Sequence, residues 1–263
     1  MASAPGRRSR TVGPFKHEDD KPPACLLRIK KDIADLAIDP PEGLYAVPEE
    51  GDIKSIYALI VGPRGTPYEH GLLIFHLLCP KEYPMAPPKV RFITTGGRAF
   101  LHPYLYTNGT VSLSILGTYA GPQWSSAQTL SSLLLSIQSL LTELPYYDHP
   151  FKRHTNKQEE RKEADDYNTF VRYEVLKESV CGSVERCLQD DCMYPPALQR
   201  KLFKLFLENY ANYERCVSQD INLSGTPIKN PFSGGLGMYD HEALASRLRI
   251  LKKNVDTRCS PTI

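Results

Sequence analysis

The chain has 263 residues, with 32 Lys and Arg against 30 Asp and Glu for a formal charge of +2. That near balance removes any general electrostatic argument for a nucleic-acid partner or a charged membrane surface. A hydrophobic content of 41% with 24% charged residues belongs to a chain that can build a proper core, in one domain or two.

Residues 1–22 are rich in Pro, Gly, Ser and charge and almost empty of large apolar side chains. They cannot bury enough surface to offset the entropy of ordering, so a disordered tail is expected there. Helical spacing begins at Cys25, with Leu26, Leu27, Ile29, Ile33, Leu36 and Ala37 near one face, and Asp39-Pro40-Pro41 ends it. Leu44 to Val47, Ile53 to Val61, Leu72 to Leu78 and Val90 to Thr94 are apolar, β-branched runs separated by Gly and Pro turns. They predict four antiparallel strands in a meander. A helix is expected from Ser125 to Leu141, closed by Pro145. Three further helical patterns follow, at Asp165 to about Cys187, Pro195 to Val217 and Tyr239 to Asn254. The expected class is α+β, an antiparallel four-stranded sheet flanked by helices, with a helical C-terminal extension.

Between the fourth strand and the next helix lies His102-Pro103-Tyr104-Leu105-Tyr106-Thr107-Asn108-Gly109-Thr110-Val111-Ser112-Leu113-Ser114-Ile115-Leu116. An X-Pro step, then Asn-Gly, then an apolar run reads as an irregular loop laid against a core. This segment resembles the active-site signature of the ubiquitin-conjugating (E2) enzymes. In that family a His-Pro-Asn turn is followed, after seven residues, by the cysteine that carries ubiquitin as a thioester. Seven residues likewise separate Tyr104 from Ser112 here. Tyr104 stands where the family has Asn, and Ser112 where it has Cys. Four other blocks resemble the family in order: Asp35-Leu36-Ala37 with Asp39-Pro40-Pro41; Gly62-Pro63 with Thr66-Pro67-Tyr68; Tyr83-Pro84 with Pro87-Pro88-Lys89-Val90; and Trp124-Ser125 with Ala127. The resemblance spans roughly 24 to 175 and implies an E2 core at 23–175 with an extension at 176–263, packed on the end of that core. Twelve positions separate Ser112 from Trp124, and the added Gly117 to Pro122 is similar to the loop of the Z-type E2s.

What the resemblance implies for function is divided. An E2 accepts ubiquitin from an E1 and passes it to a lysine or to an E3 cysteine. A thiol suits this because its pKa near 8.5 leaves some thiolate at neutrality. A serine hydroxyl stays protonated without an adjacent base, and no His adjoins Ser112 in sequence. His102 is by resemblance a structural part of the turn. The family Asn is thought to stabilise the oxyanion, and a lost oxyanion donor costs about 3 kcal/mol elsewhere; Tyr104 places its hydroxyl differently. Asp148 lies near where some E2s use an acid to orient or deprotonate the incoming lysine. Arg28 and Lys31 stand where E2s meet an E1, Met85 where they offer an apolar side chain to E3s, and Ser126-Ala127 beside the same surface, with Ser126 replacing the family Pro.

The expected partners are ubiquitin or a ubiquitin-like modifier, an E1 and an E3, with no nucleic acid and no membrane. The favoured expectation is a catalytically impaired E2 variant acting by binding. An active E2, through Ser112 or another cysteine, and an interaction scaffold without a ubiquitin role stay open. Restoring the thiol with Ser112→Cys is expected to restore charging, with discharge still slow until Tyr104→Asn is added. Seven cysteines, an odd number without a regular framework, fit a reducing compartment. Neither a transmembrane run nor a signal-peptide segment is evident, so cytoplasm, possibly nucleus, is the expected location. Cys181, Cys187 and Cys192 lack paired short spacings, and His149 and His154 have no matching framework, so no metal is expected. No phosphate-cradling glycine motif is present, so no cofactor is expected.

Overall fold

The computed structural model describes residues 23–95, 99–152, 157–232 and 237–259. The N-terminal tail at 1–22 and His154 lie outside the described residues.

Helix α1 (Ala24–Ile38) turns Ile29, Asp32 and Leu36 inward and leaves Lys30 and Lys31 exposed. The four strands follow as read, β1 (Leu44–Glu49), β2 (Asp52–Val61), β3 (Leu72–Leu78) and β4 (Lys89–Phe92). They form one antiparallel sheet in the order β1-β2-β3-β4. Residues opposite one another share a face. Leu44, Ile56, Ala58, Ile60, Leu73, Phe75 and Leu77 make the inner face, every one of them fully buried. Helix α2 (Leu130–Gln138) and α1 cover it.

The expected helix from Ser125 to Leu141 is shorter at both ends. Thr129 caps it, accepting from the Ser132 N–H at 3.1 Å while the Ser132 hydroxyl oxygen accepts from the Thr129 N–H at 2.9 Å. That reciprocal pair fixes the first turn, so residues 125–128 form a separate turn ahead of it.

A long helical rod follows. Helix α3 (Gln158–Glu174) runs without interruption through a π-helical segment (Val175–Cys181) into α4 (Gly182–Leu188). Helices α5 (Pro196–Glu208) and α6 (Tyr210–Gln219) are divided at Asn209, which leaves the helical region at φ −101°, ψ 5°. Its side-chain amide donates to the Leu205 carbonyl at 2.9 Å, competing with the helix's own ladder. Helix α7 (His241–Cys259) closes the described chain.

The extension does not sit on the end of the core, as the sequence reading had it; it lies across the outer face of the sheet. On that face Leu59, Leu72 and Ile74 are fully buried, and Tyr57 and Ser55 nearly so. The π segment packs on β3 and α5 on β1. Tyr194 meets Tyr57 edge to face at 5.9 Å between ring centroids, and the Lys201 ammonium sits 3.8 Å from the Tyr45 ring centroid. The Tyr213 hydroxyl donates to the His70 carbonyl at 2.9 Å, and the Arg186 guanidinium donates to the Thr94 carbonyl. A sheet covered on both faces needs strands that are apolar throughout, and β2 and β3 are nearly so.

Candidate functional site

The loop carrying Ser112 is held by backbone pairing. The Ser112 N–H donates to the Tyr104 carbonyl at 2.9 Å, and Leu105 bridges to both His102 and Val111. Asn108-Gly109 turns the chain back. Gly109 sits at φ 87°, and a Cβ there would lie 3.1 Å from the Phe92 carbonyl oxygen, so a side chain would strain both backbone and contact. The Phe92 N–H donates to the Gly109 carbonyl at 2.8 Å, which fastens the loop to the edge of β4.

His102 is fully buried and has a structural role. Its Nδ1 accepts from the Tyr104 N–H at 3.0 Å, so Nε2 carries the proton and donates to Asp148 Oδ2 at 3.3 Å. The same carboxylate oxygen accepts from the Thr142 hydroxyl at 2.7 Å. Asp148 is therefore joined to the turn under the site, with 29% of its side chain exposed.

Ser112 is 5% exposed. Its hydroxyl donates to the Thr118 carbonyl at 3.3 Å. A carbonyl cannot take up the proton, so this contact holds the hydroxyl without activating it. Tyr104 is half-buried, its ring 5.5 Å from His102 and 5.2 Å from Tyr119 between centroids. Burial first, and then a hydrogen bond with Tyr119, push the Tyr104 phenol up to about 12. It stays a neutral phenol, packed against the Tyr119 ring.

The residues expected from sequence to face partners converge on a second region. The Trp124 indole N–H donates to the Pro84 carbonyl at 2.7 Å, tying the loop before α2 to the loop before β4. Met85, 76% exposed, projects from the second of these, and Ser126 and Ala127 are exposed on the first. Leu27 and Lys31 are exposed on α1. Arg28 differs from the others. Its guanidinium donates to Asp32 at 2.8 Å, to the Ser126 carbonyl at 3.1 Å and to the Gln128 carbonyl at 2.6 Å. It pins α1 to the turn ahead of α2, and its side chain is only 23% exposed.

The sequence reading missed the residue under that pin. Asp32 is buried, and its carboxylate accepts from Arg28, from the Tyr83 hydroxyl and from the Leu130 N–H, the last at 3.2 Å. Leu130 opens α2, so Asp32 both satisfies an orphan donor and sets a negative charge against the positive end of that helix. An acidic residue on the apolar stripe of α1, three positions after Ile29, was the signal available.

All seven cysteines are free. Cys79 is buried, and burial, more than nearby Asp32 and Cys25, pushes its thiol up to about 12. Burial likewise pushes Cys181 up to about 12. Neither has the low pKa of a reactive thiol. Among the described residues no group of three His, Cys, Asp or Glu side chains is placed to hold a metal, and no helix is long and apolar enough to cross a membrane.

Comparison with known proteins accords with this architecture. Residues 28–175 match the family described as Ubiquitin-conjugating enzyme. The chain is 41% identical over 240 residues to Ubiquitin-conjugating enzyme E2 Z of Danio rerio, covering 90% of this chain and 70% of that protein. It is 41% identical over 236 residues to Ubiquitin-conjugating enzyme E2 Z of Homo sapiens, covering 89% of this chain but 64% of that protein, slightly under two thirds of its length. Probable ubiquitin-conjugating enzyme protein 17 of Caenorhabditis elegans is 32% identical over 185 residues, 66% of this chain and 25% of that protein. With the family match covering more than half of the sequence, and the meander and its two covering helices in place, the chain belongs to the ubiquitin-conjugating enzyme family, as a member of E2 Z type.

Proposed function

We propose that this chain works in the ubiquitin pathway as an E2 variant that does not carry ubiquitin as a thioester and acts by binding ubiquitin, an E1 or an E3. One observation carries the reading. The residue at the acyl-carrying position is a serine, buried, whose hydroxyl donates to a backbone carbonyl and has no base as its partner. Tyr104 supports it from a second step: its ring packs against Tyr119 and its phenol is high in pKa, which is unlike an amide held ready for an oxyanion. The exposed Met85, Ser126 and Ala127, held together by the Trp124–Pro84 bond, support a surviving docking surface for an E3. The domain arrangement that goes with this reading is an E2 core at 23–175 and an extension at 176–263, within a reducing compartment.

The internal engagement of Arg28 favours a second reading, a scaffold that does not meet an E1 through α1. Exposed Lys31 alone would leave little of the expected basic contact. Incubation with E1, ATP and ubiquitin, read on reducing and non-reducing gels, separates these from an active E2. The expected result is no reductant-sensitive adduct, together with saturable shifts of ubiquitin or E1 resonances on addition of the chain. A robust thioester on the unmodified protein overturns the non-catalytic reading. Absence of binding to ubiquitin, E1 and E3 alike leaves the scaffold.

A further inference from the structure

We propose that Gly117 to Pro122 forms a latch closed over position 112, and that the side chain of Thr118 holds it shut. The inference concerns the site just described and rests on that reading only in taking position 112 as the place where an acyl group would be carried. The chain leaves Ser112 through a short 3-10 turn, Ser114–Leu116, and Gly117, in the left-handed region at φ 71°, reverses it. Thr118 is thereby returned to Ser112 and bonds on both sides of it. Its hydroxyl donates to the Val111 carbonyl at 2.6 Å, with the Leu113 carbonyl 3.1 Å away as a second acceptor. The same oxygen accepts from the Leu113 N–H at 2.9 Å, and the Thr118 N–H donates to the Leu113 carbonyl at 3.3 Å. The Thr118 carbonyl meanwhile takes the Ser112 hydroxyl.

Two further contacts close the far end. Tyr119 packs against Tyr104, with their ring centroids 5.2 Å apart. Gly121, at φ 139°, passes so close to Ser114 that a Cβ there would lie 3.0 Å from the Ser114 Cβ. The outer side of the loop is bare: residues 117–122 are all exposed, with Tyr119 at 48%. Opening the loop therefore disturbs mainly the bonds just named, together with the Gly117 N–H bond to the Ser114 carbonyl at 2.9 Å. Ser112 is buried beneath residues that are themselves in solvent, so the cover is this loop and not the core. An acyl donor reaching position 112 has to displace it. Restoring the sulfur alone leaves the latch in place, and the charging expected of Ser112→Cys is then slow.

The test uses the full chain with neither E1 nor ubiquitin, so its failure is separate from failure of the ubiquitin reading. Ser112→Cys is treated with iodoacetamide from pH 7 to 9.5, and alkylation of the peptide containing position 112 is followed by mass mapping. The comparator is a synthetic peptide of residues 108–116 carrying the same Ser→Cys change. The introduced thiol is expected to react about tenfold or more slowly than the peptide, with its pH profile displaced upward because it donates to the Thr118 carbonyl. Adding Thr118→Val removes the hydroxyl bonds and should restore about tenfold in rate and move the profile back toward the ordinary thiol range. Thr118→Ser, which keeps the hydroxyl, should leave the slow rate unchanged. Should Thr118→Val lose its fold by circular dichroism, Tyr119→Ala in the Ser112→Cys background carries the same expectation. Alkylation at the peptide's rate before any change at Thr118, or a rate indifferent to Thr118→Val and Tyr119→Ala, overturns the latch.

Discussion

Two buried polar centres lie on this fold, and they are built for different ends. At Asp32 a carboxylate gathers a guanidinium, a phenol and a helix N-terminus from three separate segments. Every donor there is matched, and the result is a junction of α1, α2 and the loop before β4. At Ser112 the polar groups are matched as completely, but mostly by backbone carbonyls and by a loop with nothing lying on it. Asp32 holds segments together; the Ser112 loop only covers a site. The E2 framework is kept in both regions. The junction holds the charge that its architecture needs, whereas position 112 holds a hydroxyl bonded to a backbone carbonyl.

That contrast is broken most directly at Asp32. Asp32→Ala strips the buried partner from the partly exposed Arg28 guanidinium and leaves the Tyr83 hydroxyl and the Leu130 N–H unsatisfied. The expected loss is about 3–5 kcal/mol in urea unfolding at pH 7. A loss near 1 kcal/mol or less would mean that the three segments are held by packing alone. Arg28→Ala comes next. It removes charge-assisted bonds to Asp32 and to two carbonyls while leaving the carboxylate its other two donors, so about 1.5–3 kcal/mol is expected. An Arg28 variant as stable as the parent but weaker toward E1 would return this residue to the docking surface.

Ser112→Ala should be much milder, about 0.5–1.5 kcal/mol, since it deletes one long hydrogen bond and leaves a carbonyl beside an exposed loop. If it rivals Arg28→Ala, the loop is bearing more of the fold than its exposure indicates. The smallest effect is expected in the titration of Tyr104. Its folded pKa is raised to about 12, above the ordinary 10, so the neutral phenol is the form that stabilises the fold. Its stabilising contribution is whole below about pH 10 and is lost as the pH climbs toward about 12. Tyr119→Phe removes what Tyr119 adds to burial and should bring the Tyr104 transition down part of the way, followed by absorbance at 295 nm. An unchanged transition would mean that Tyr119 has no part in setting it and that the rings do not hold the latch.

Strand positions and the first helix were legible because alternation, β-branching and Pro–Gly punctuation are local. The loop's geometry was legible too, since Asn108-Gly109 can scarcely do anything but turn. Helix α2 was read four or five residues too long at its start, because Ser125 to Gln128 carry helix-compatible side chains. What stops them is Thr129 capping the helix and Arg28 engaging the Ser126 and Gln128 carbonyls from 98 and 100 residues away. Ser112, Tyr104 and His102 stand out in the sequence through their resemblance to the family's active-site signature, and the structure brings the three onto one loop. Asp148 lies near a family position by resemblance alone, and the structure joins it to His102 and Thr142.

The sequence by itself determined the class of fold, the order of its elements and the chemical identity of position 112, all of which depend on residue type and near neighbours. Only the tertiary structure decided which groups face which. Arg28 could equally well have stood in solvent, and its three partners are chosen by how α1 meets α2. The continuous apolar runs of β2 and β3 suit a sheet covered on both faces, but nothing in them says what covers it. The extension supplies that cover because Leu59, Leu72 and Ile74 would otherwise stay in water, and the hydrophobic effect carries no address in the sequence. The closure over Ser112 is likewise a matter of a reversal at Gly117 and a few hydrogen bonds, whose strength comes from geometry that no spacing of residues records.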